Sequence, residues 1–146
     1  MRIYADTSYL VSFLYKGDVA HDSARLTFRE HSGEDWLTTE WSQVETINRL
    51  RQLCLAGANA PRMEALVRFF RHLHRFGPLS LVDTVCEDAF RECLQLSAAF
   101  GNRMRIRSAD LLHVALLEQI APDLFLTRDK DQFDLAEARG FNCRKV

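Results

Sequence analysis

The chain has 146 residues, of which 47% are hydrophobic and 27% charged, and its formal net charge at pH 7 is -1. This composition is ordinary for a soluble globular protein, so we predict a single domain over residues 1–146. The N-terminal "MRIYAD" has no signal-peptide pattern, and no apolar run approaches the roughly 20 residues of a membrane span. We therefore expect a cytoplasmic protein with no membrane segment. The near-neutral charge neither indicates nor excludes nucleic-acid binding, because the distribution of charges matters more than their sum.

The first half of the chain alternates short apolar runs with longer helical patterns. Residues 3–5 predict a buried strand, and Thr7 or Ser8 can cap a helix that continues to Gly17. Further along, we predict helices over residues 21–31, 40–57 and 61–77, and strands over residues 35–38 and 79–82.

The second half continues the alternation. Thr84 and Glu87 form a T-x-x-E capping box at the head of a helix over residues 85–100, and Ser108 can cap a helix over residues 109–120. Strands over residues 123–127 and 141–146 bracket a last helical stretch. This order predicts an α/β fold whose parallel sheet is covered by helices on both faces. In such folds the groups at the carboxyl ends of the strands meet in one crevice.

Four cysteines, Cys54, Cys86, Cys93 and Cys143, lie among apolar neighbours without C-x-x-C spacing. We interpret them as reduced core residues, because disulfide frameworks and zinc sites have characteristic cysteine spacings that this chain lacks.

Four carboxylates interrupt otherwise apolar surroundings. Asp6 follows the first strand, Glu45 lies on an apolar helix face, Asp110 occupies the first turn of an almost wholly apolar helix, and Asp129 follows a strand. Each also has a structural explanation. Asp6 can cap its helix, and Glu45 can form an ion pair with Arg49. Asp110 in a first turn complements the helix dipole, and Asp129 can form a turn. Together at one sheet edge they would repel one another unless a cation neutralised them, and oxygen ligands suit Mg²⁺ or Mn²⁺ rather than zinc.

These four stretches resemble the acidic blocks of PIN-domain ribonucleases. The matching stretches are "IYADTSYLVSFL", "LTTEWSQVETINRL", "IRSADLLHVALL" and "LFLTRDKDQFDLA", which hold Asp6, Glu45, Asp110 and Asp129 in turn. The similarity is greatest to VapC-type toxins of bacterial toxin–antitoxin pairs, and it extends in order from residue 2 to about residue 136.

The resemblance implies a three-layer α/β/α sandwich with a central parallel sheet of about five strands, and an endoribonuclease that depends on Mg²⁺ or Mn²⁺. It implies that Asp6, Glu45 and Asp110 are metal ligands and catalytic residues, and that Asp129 completes the site directly or through water. Thr7 and Thr127 would orient water or ligands. The resemblance also implies an RNA substrate, a homodimer and a cognate antitoxin that blocks the site.

Three assignments near the site have alternatives. Glu40 also fits the acidic start of its helix, although its spacing to the apolar run favours Glu45. Asp131 can replace Asp129, since both follow the same strand. His113 lies one turn after Asp110, and we interpret it as a hydrogen-bonded core histidine rather than a proton shuttle.

Three arginines alternate just before the helix that carries Asp110. Arg103, Arg105 and Arg107 lie on one side of the chain if this segment is extended, which favours contacts with RNA phosphates. The alternative is a solvated loop.

Three alternatives to a toxin ribonuclease have to be considered. A housekeeping RNA-processing nuclease and a catalytically inactive PIN-like interaction module have the same fold and are distinguished only by experiment. A receiver-like phosphoryl-transfer domain needs paired acids after the first strand, whereas "ADTS" offers one.

Overall fold

The computed structural model describes residues 1–146 as five strands and seven α-helices. The strands are β1 (Arg2–Ala5), β2 (Asp35–Thr38), β3 (Leu79–Leu81), β4 (Leu124–Thr127) and β5 (Cys143–Lys145). The helices are α1 (Thr7–Leu14), α2 (His21–Glu30), α3 (Glu40–Gln52), α4 (Ala60–Phe76), α5 (Cys86–Phe100), α6 (Ser108–Ile120) and α7 (Lys130–Ala138). A 3-10 helix, Leu53–Ala56, directly follows α3.

All neighbouring strands are parallel, in the order β3-β2-β1-β4-β5. Ile3 in the central strand pairs with Trp36 of β2 on one side and with Leu124 of β4 on the other. The chain first extends the sheet outward from β1 to β3 and then returns to the other side of β1. The boundary between β1 and β4 is therefore the switch point, where α/β folds form their ligand crevice.

Successive strand residues point to opposite faces, so each face of the sheet has its own core. Ile3, Trp36 and Leu126 pack with α1–α4, whereas Tyr4 and Phe125 pack with α5–α7. Helices thus cover both faces, which confirms the three-layer α/β/α sandwich with a parallel sheet of five strands.

Three predicted helix caps are wrong. Neither Thr7 nor Ser8 caps α1, because the Asp6 carboxylate accepts the hydrogen bond from the Tyr9 N–H. Thr84 does not cap α5, because the side-chain amide of Gln119 in α6 serves that helix end: it accepts a hydrogen bond from the Val85 N–H (2.7 Å) and donates one to the Val85 carbonyl (3.0 Å). Ser108 is the first residue of α6 rather than its cap. The Asp110 carboxylate instead accepts from the Arg107 N–H (3.0 Å).

Three predicted elements have a boundary that shifts by two or more residues. Helix α1 ends at Leu14 rather than at Gly17, α3 gives way to the 3-10 helix after Gln52, and β5 covers only Cys143–Lys145. Gly57 closes the 3-10 helix with a φ of 90°, a conformation that favours glycine.

The four cysteines are unpaired, in agreement with the prediction of reduced thiols. Their predicted placement in the core is correct only in part: Cys93 and Cys143 are half-buried against the core, whereas Cys54 is half-buried elsewhere and Cys86 is exposed. No helix has both the length and the hydropathy needed to cross a bilayer.

Candidate active site

A polar cleft of about 510 Å³ opens beside the carboxyl ends of β1 and β4, and only two of its 14 lining residues are hydrophobic. Its charged lining combines acids with arginines: Asp18, Glu45, Asp110, Asp129, Arg49, Arg107 and Arg128. Thr7 and Ser8, the first two residues of α1, also line it. The structure thus brings Glu45, Asp110 and Asp129 to one cleft from α3, α6 and the end of β4.

Asp6 is fully buried and does not line the cleft. Its carboxylate caps α1 by accepting from the Tyr9 N–H (2.9 Å), and it also accepts from the hydroxyls of Ser8 (2.8 Å) and Thr127 (2.9 Å). Burial raises the pKa of Asp6 despite these hydrogen bonds, because the charged form has lost its water. Asp6 is therefore a helix cap, and it reaches the cleft only through Ser8, which lines the cleft and donates to its carboxylate.

Glu45 points from α3 into the cleft, where Oε2 accepts from the Thr7 hydroxyl at 2.8 Å and lies 2.5 Å from Nε2 of His113. Burial by itself raises the pKa of Glu45, but the hydrogen bond and charge of His113 outweigh it and hold that pKa below its ordinary value. Glu45 pairs with His113 rather than with Arg49. Glu40 is exposed at the start of α3 and lines a separate apolar groove, so of the two alternatives only Glu45 faces the cleft.

His113 is buried, and both ring nitrogens have partners. Nδ1 shares a hydrogen bond of 3.1 Å with the Tyr4 hydroxyl, which in turn lies 2.8 Å from the Ser42 hydroxyl. The interpretation of His113 as a hydrogen-bonded core histidine is confirmed. Its second contact, with Glu45, adds the task of orienting a cleft carboxylate.

Asp110 is buried at the first turn of α6 and lines the cleft. Oδ2 accepts from the backbone N–H (3.0 Å) and Nε (3.1 Å) of Arg107, and Oδ1 accepts from the Gln132 amide (3.2 Å). Asp110 thus fixes the start of its own helix and links it to α7.

Asp129 caps α7 and faces the same arginine. Oδ1 accepts from the N–H groups of Asp131 (2.8 Å) and Gln132 (3.1 Å), whereas Oδ2 accepts from Nη2 of Arg107 (2.9 Å). The Asp129 N–H donates to the Thr127 hydroxyl (3.0 Å), the same hydroxyl that donates to Asp6. Thr127 therefore connects the acids at the ends of β1 and β4.

Three carboxylates form a group that suits a hard cation. Asp110, Asp129 and Asp131 each offer an oxygen, and these atoms all lie within 4.8 Å of one another. Beside them, Oε1 of Gln132 is buried without a hydrogen-bond partner. An all-oxygen set of this kind fits Mg²⁺ or Mn²⁺. Asp6 and Glu45 lie outside this group, and Asp131 joins Asp129 rather than replacing it.

Of the three predicted RNA-binding arginines, only Arg107 lines the cleft. Arg103 lies over the ring of Phe100, and Arg105 is exposed outside the cleft. Two further arginines of the cleft, Arg49 and Arg128, were not predicted. Arg49 lies one turn after Glu45, and Arg128 directly precedes Asp129. This proximity to two predicted site acids could have indicated that both arginines line the cleft.

Several solved structures of low sequence identity share the fold. VapC20 of Mycobacterium tuberculosis, a Sarcin-Ricin loop cleaving toxin, is 17% identical with a TM-score of 0.70, and the match covers 95% of each chain. A chain of VapBC2 from Rickettsia felis, bound to a DNA fragment from the promoter, is 12% identical with a TM-score of 0.71, over 99% of this chain and 98% of that one. DNA-bound VapBC from Salmonella typhimurium gives 15% identity and a TM-score of 0.67 over the same shares.

Comparison with curated proteins finds no significant match. The sequence profile of the PIN domain, in contrast, matches residues 3–138. That range includes β2, β3, β4 and nearly all of β1, together with every acid of the cleft. The sheet order, the position of the acids and the extent of this match lead to one conclusion: the chain belongs to the PIN domain family.

Proposed function

We propose that this protein is an endoribonuclease that hydrolyses RNA phosphodiester bonds with Mg²⁺ or Mn²⁺. The observation that carries the proposal is the group of Asp110, Asp129 and Asp131 at the switch point of the sheet, in a cleft that Glu45 also enters. Carboxylates gathered so closely repel one another, and a divalent cation is the natural neutralising partner.

In this proposal each element of the cleft has a task. Asp110, Asp129 and Asp131 would hold the ion, and Glu45 would add a further carboxylate to the same cleft. Asp6, through Thr127, fixes the end of β4. A bound divalent ion would supply Lewis-acid stabilisation of the charge that develops on the phosphate. Thr7 keeps Glu45 oriented through its hydroxyl.

The arginines of the cleft favour a polyanionic substrate. Arg49, which forms no ion pair, and Arg128 lie at the cleft beside the acids. Cationic side chains at this position can hold the phosphates on either side of the bond to be cut, without reading sequence. Arg103 and Arg105 would extend this surface further from the acids.

We further propose that the protein is the toxin of a type II toxin–antitoxin system, with a cognate antitoxin as its partner. Support comes from the VapC and VapBC structures that share its fold over nearly the whole chain. Growth arrest on expression, relieved by co-expression of the antitoxin, would support the toxin. Harmless expression of an active nuclease would favour a housekeeping RNA-processing role.

A homodimer is also part of the proposal. An apolar groove between α3, α5 and α6 exposes Phe90 (58%) and Leu94 (74%) beside Trp41. Such a patch on a soluble protein is typical of a protein–protein contact. A monomer at micromolar concentration in sedimentation would contradict the dimer.

The activity is tested by incubating a total RNA pool with the protein in the presence of Mg²⁺ or Mn²⁺ and with EDTA. Asp110→Asn, purified in the same way and shown to be folded, controls for contaminating nucleases. We expect cleavage that needs the metal and disappears in the variant. A folded, metal-bound wild type that leaves the RNA intact would favour the inactive interaction module.

A further inference from the structure

The guanidinium of Arg107 bridges two carboxylates of the acidic group. Nε lies 3.1 Å from Oδ2 of Asp110, and Nη2 lies 2.9 Å from Oδ2 of Asp129. The three side chains differ in exposure: 67% for Arg107, 2% for Asp110 and 22% for Asp129. A largely solvated cation therefore covers two acids that are themselves mostly shielded from water.

The same two carboxylates belong to the group whose oxygens lie within 4.8 Å of one another. An oxygen that already accepts a charged hydrogen bond has less negative potential to offer a second cation, and the positive guanidinium repels an approaching ion. Arg107 contributes one positive charge where a divalent ion contributes two. The guanidinium and the ion thus have the same ligands, and the two compete.

Arg107 differs from the other arginines near the cleft in making these contacts. Arg128 is held by Asp18 (2.6 Å) and Ser12 (2.9 Å), and Arg49 forms no ion pair. The contact also has a local cause, because Arg107 immediately precedes α6 and its backbone N–H is already bound to Asp110. The side chain therefore starts next to the acids it neutralises.

We propose that Arg107 is an intramolecular counter-cation that occupies the acidic group of the metal-free protein and is displaced by the divalent ion, so that this residue sets the metal affinity of the site. The proposal rests on the proposed metal-dependent function. It makes Arg107 a positioning residue, which keeps Asp110 and Asp129 together when no ion is bound. Displacement leaves an exposed guanidinium at the mouth of the cleft.

The test is the affinity for Mn²⁺, measured by titration calorimetry on the whole protein without RNA. Arg107→Met removes the guanidinium. Arg105→Met is the matched control, because Arg105 carries the same charge, precedes Arg107 by two residues and lies outside the cleft. We expect Arg107→Met to bind Mn²⁺ about tenfold more tightly than the wild type, within the ordinary range of coupling between two ligands. Arg105→Met should change the affinity by less than about twofold, because an exposed charge outside the cleft is screened by salt.

Equal or weaker Mn²⁺ binding by Arg107→Met, beside a wild type that does bind, would overturn the competition and leave the metal site intact. Absence of Mn²⁺ binding in both proteins would overturn the proposed metal site as well. If Arg107→Met does not fold, Arg107→Lys decides, since lysine keeps the charge but lacks the planar fork that bridges two carboxylates. Tighter binding by Arg107→Lys than by the wild type supports the proposal, and unchanged or weaker binding contradicts it.

Discussion

His113 and Glu45 form a hydrogen-bonded pair across two helices, with 2.5 Å between Nε2 of the ring and Oε2 of the carboxylate. The ring is buried against Tyr4, whereas the carboxylate reaches the cleft. His113 thus fixes an acid of the candidate active site from the core side. Because it holds the pKa of Glu45 below its ordinary value, the pair stabilises the fold where Glu45 is charged.

The His113→Phe variant tests this pair through its pH dependence. We expect the free energy of unfolding to fall by about 1–3 kcal/mol at pH 7, because the hydrogen bonds of the ring to the buried Tyr4 hydroxyl and the half-buried Glu45 carboxylate are lost. A carboxylate whose pKa is lowered on folding contributes stability above its unfolded pKa, near 4.3, and loses it as the pH falls through the folded value. The deficit of the variant should therefore shrink in urea unfolding below about pH 4.

Tyr4→Phe is the matched control, since it removes the hydroxyl on the other side of His113 but leaves Glu45 paired. Its effect on unfolding should not change between pH 7 and pH 4. A His113→Phe deficit that is equally independent of pH would contradict the role assigned to the pair.

Asp6→Asn is expected to stabilise the metal-free protein. Burial raises the pKa of Asp6, so folding disfavours the charged form of this carboxyl relative to the unfolded chain. Asparagine is an equally good helix cap, and removal of the charge should add about 1 kcal/mol, or roughly 2–4 °C in Tm. Calorimetry in EDTA at pH 7.5 measures this change.

The pH dependence of the stability difference between Asp6→Asn and the wild type gives a second test of the burial of Asp6. An acid whose pKa is raised on folding destabilises the protein at high pH, and this cost disappears as the pH falls through the folded pKa. The advantage of Asp6→Asn should therefore diminish as the buffer becomes acidic. A variant less stable than the wild type at pH 7.5 would mean that the hydrogen bonds to Ser8 and Thr127 outweigh burial.

Asp129 and Asp131 should differ in their effect on stability, because only Asp129 caps α7. Asp129→Ala removes the cap of α7 and should lower stability by about 1 kcal/mol, whereas Asp131→Ala should cost less than about 0.5 kcal/mol. Both should weaken Mn²⁺ binding, because both belong to the acidic group. Asp134→Ala, which removes a half-buried acid of the same helix paired with Lys130, is the control and should retain wild-type affinity. Wild-type affinity in Asp131→Ala would exclude that residue from the site.

The strands of the sheet, and the acids that follow them, could be predicted from the sequence because both depend on the local pattern of residue types. Short apolar runs such as residues 3–5 and 35–38 stand out between helical periodicities, and the residues at the carboxyl ends of parallel strands lie at one edge of the sheet. The position of Asp129 after a strand therefore predicted that it lies at this edge, although the same position left Asp131 as an alternative. Whether Asp131 would accompany it depended on how α7 begins, which a pattern of residue types does not specify.

Contacts between residues far apart in the chain could not be predicted from local pattern. Gln119 hydrogen-bonds the first residue before α5 from 34 residues away in the chain. The T-x-x-E pattern of Thr84 predicted a cap there, but this tertiary contact takes its place. An ion pair with Arg49, one helical turn away, was the local alternative for Glu45, yet Glu45 binds His113, which is 68 residues distant. Arg107 was recognised as a basic residue near the site, but only the fold shows that it contacts Asp110 and Asp129.

The central claim, that the acidic group is the metal centre of a ribonuclease, is tested most directly by measuring RNA cleavage as a function of Mn²⁺ concentration beside Mn²⁺ binding to the same protein. We predict no cleavage in EDTA, and a rate that saturates over the concentration range in which calorimetry detects binding. Asp110→Asn should lose both binding and cleavage while it stays folded. Cleavage that persists in EDTA, or that survives in folded Asp110→Asn, would contradict the claim.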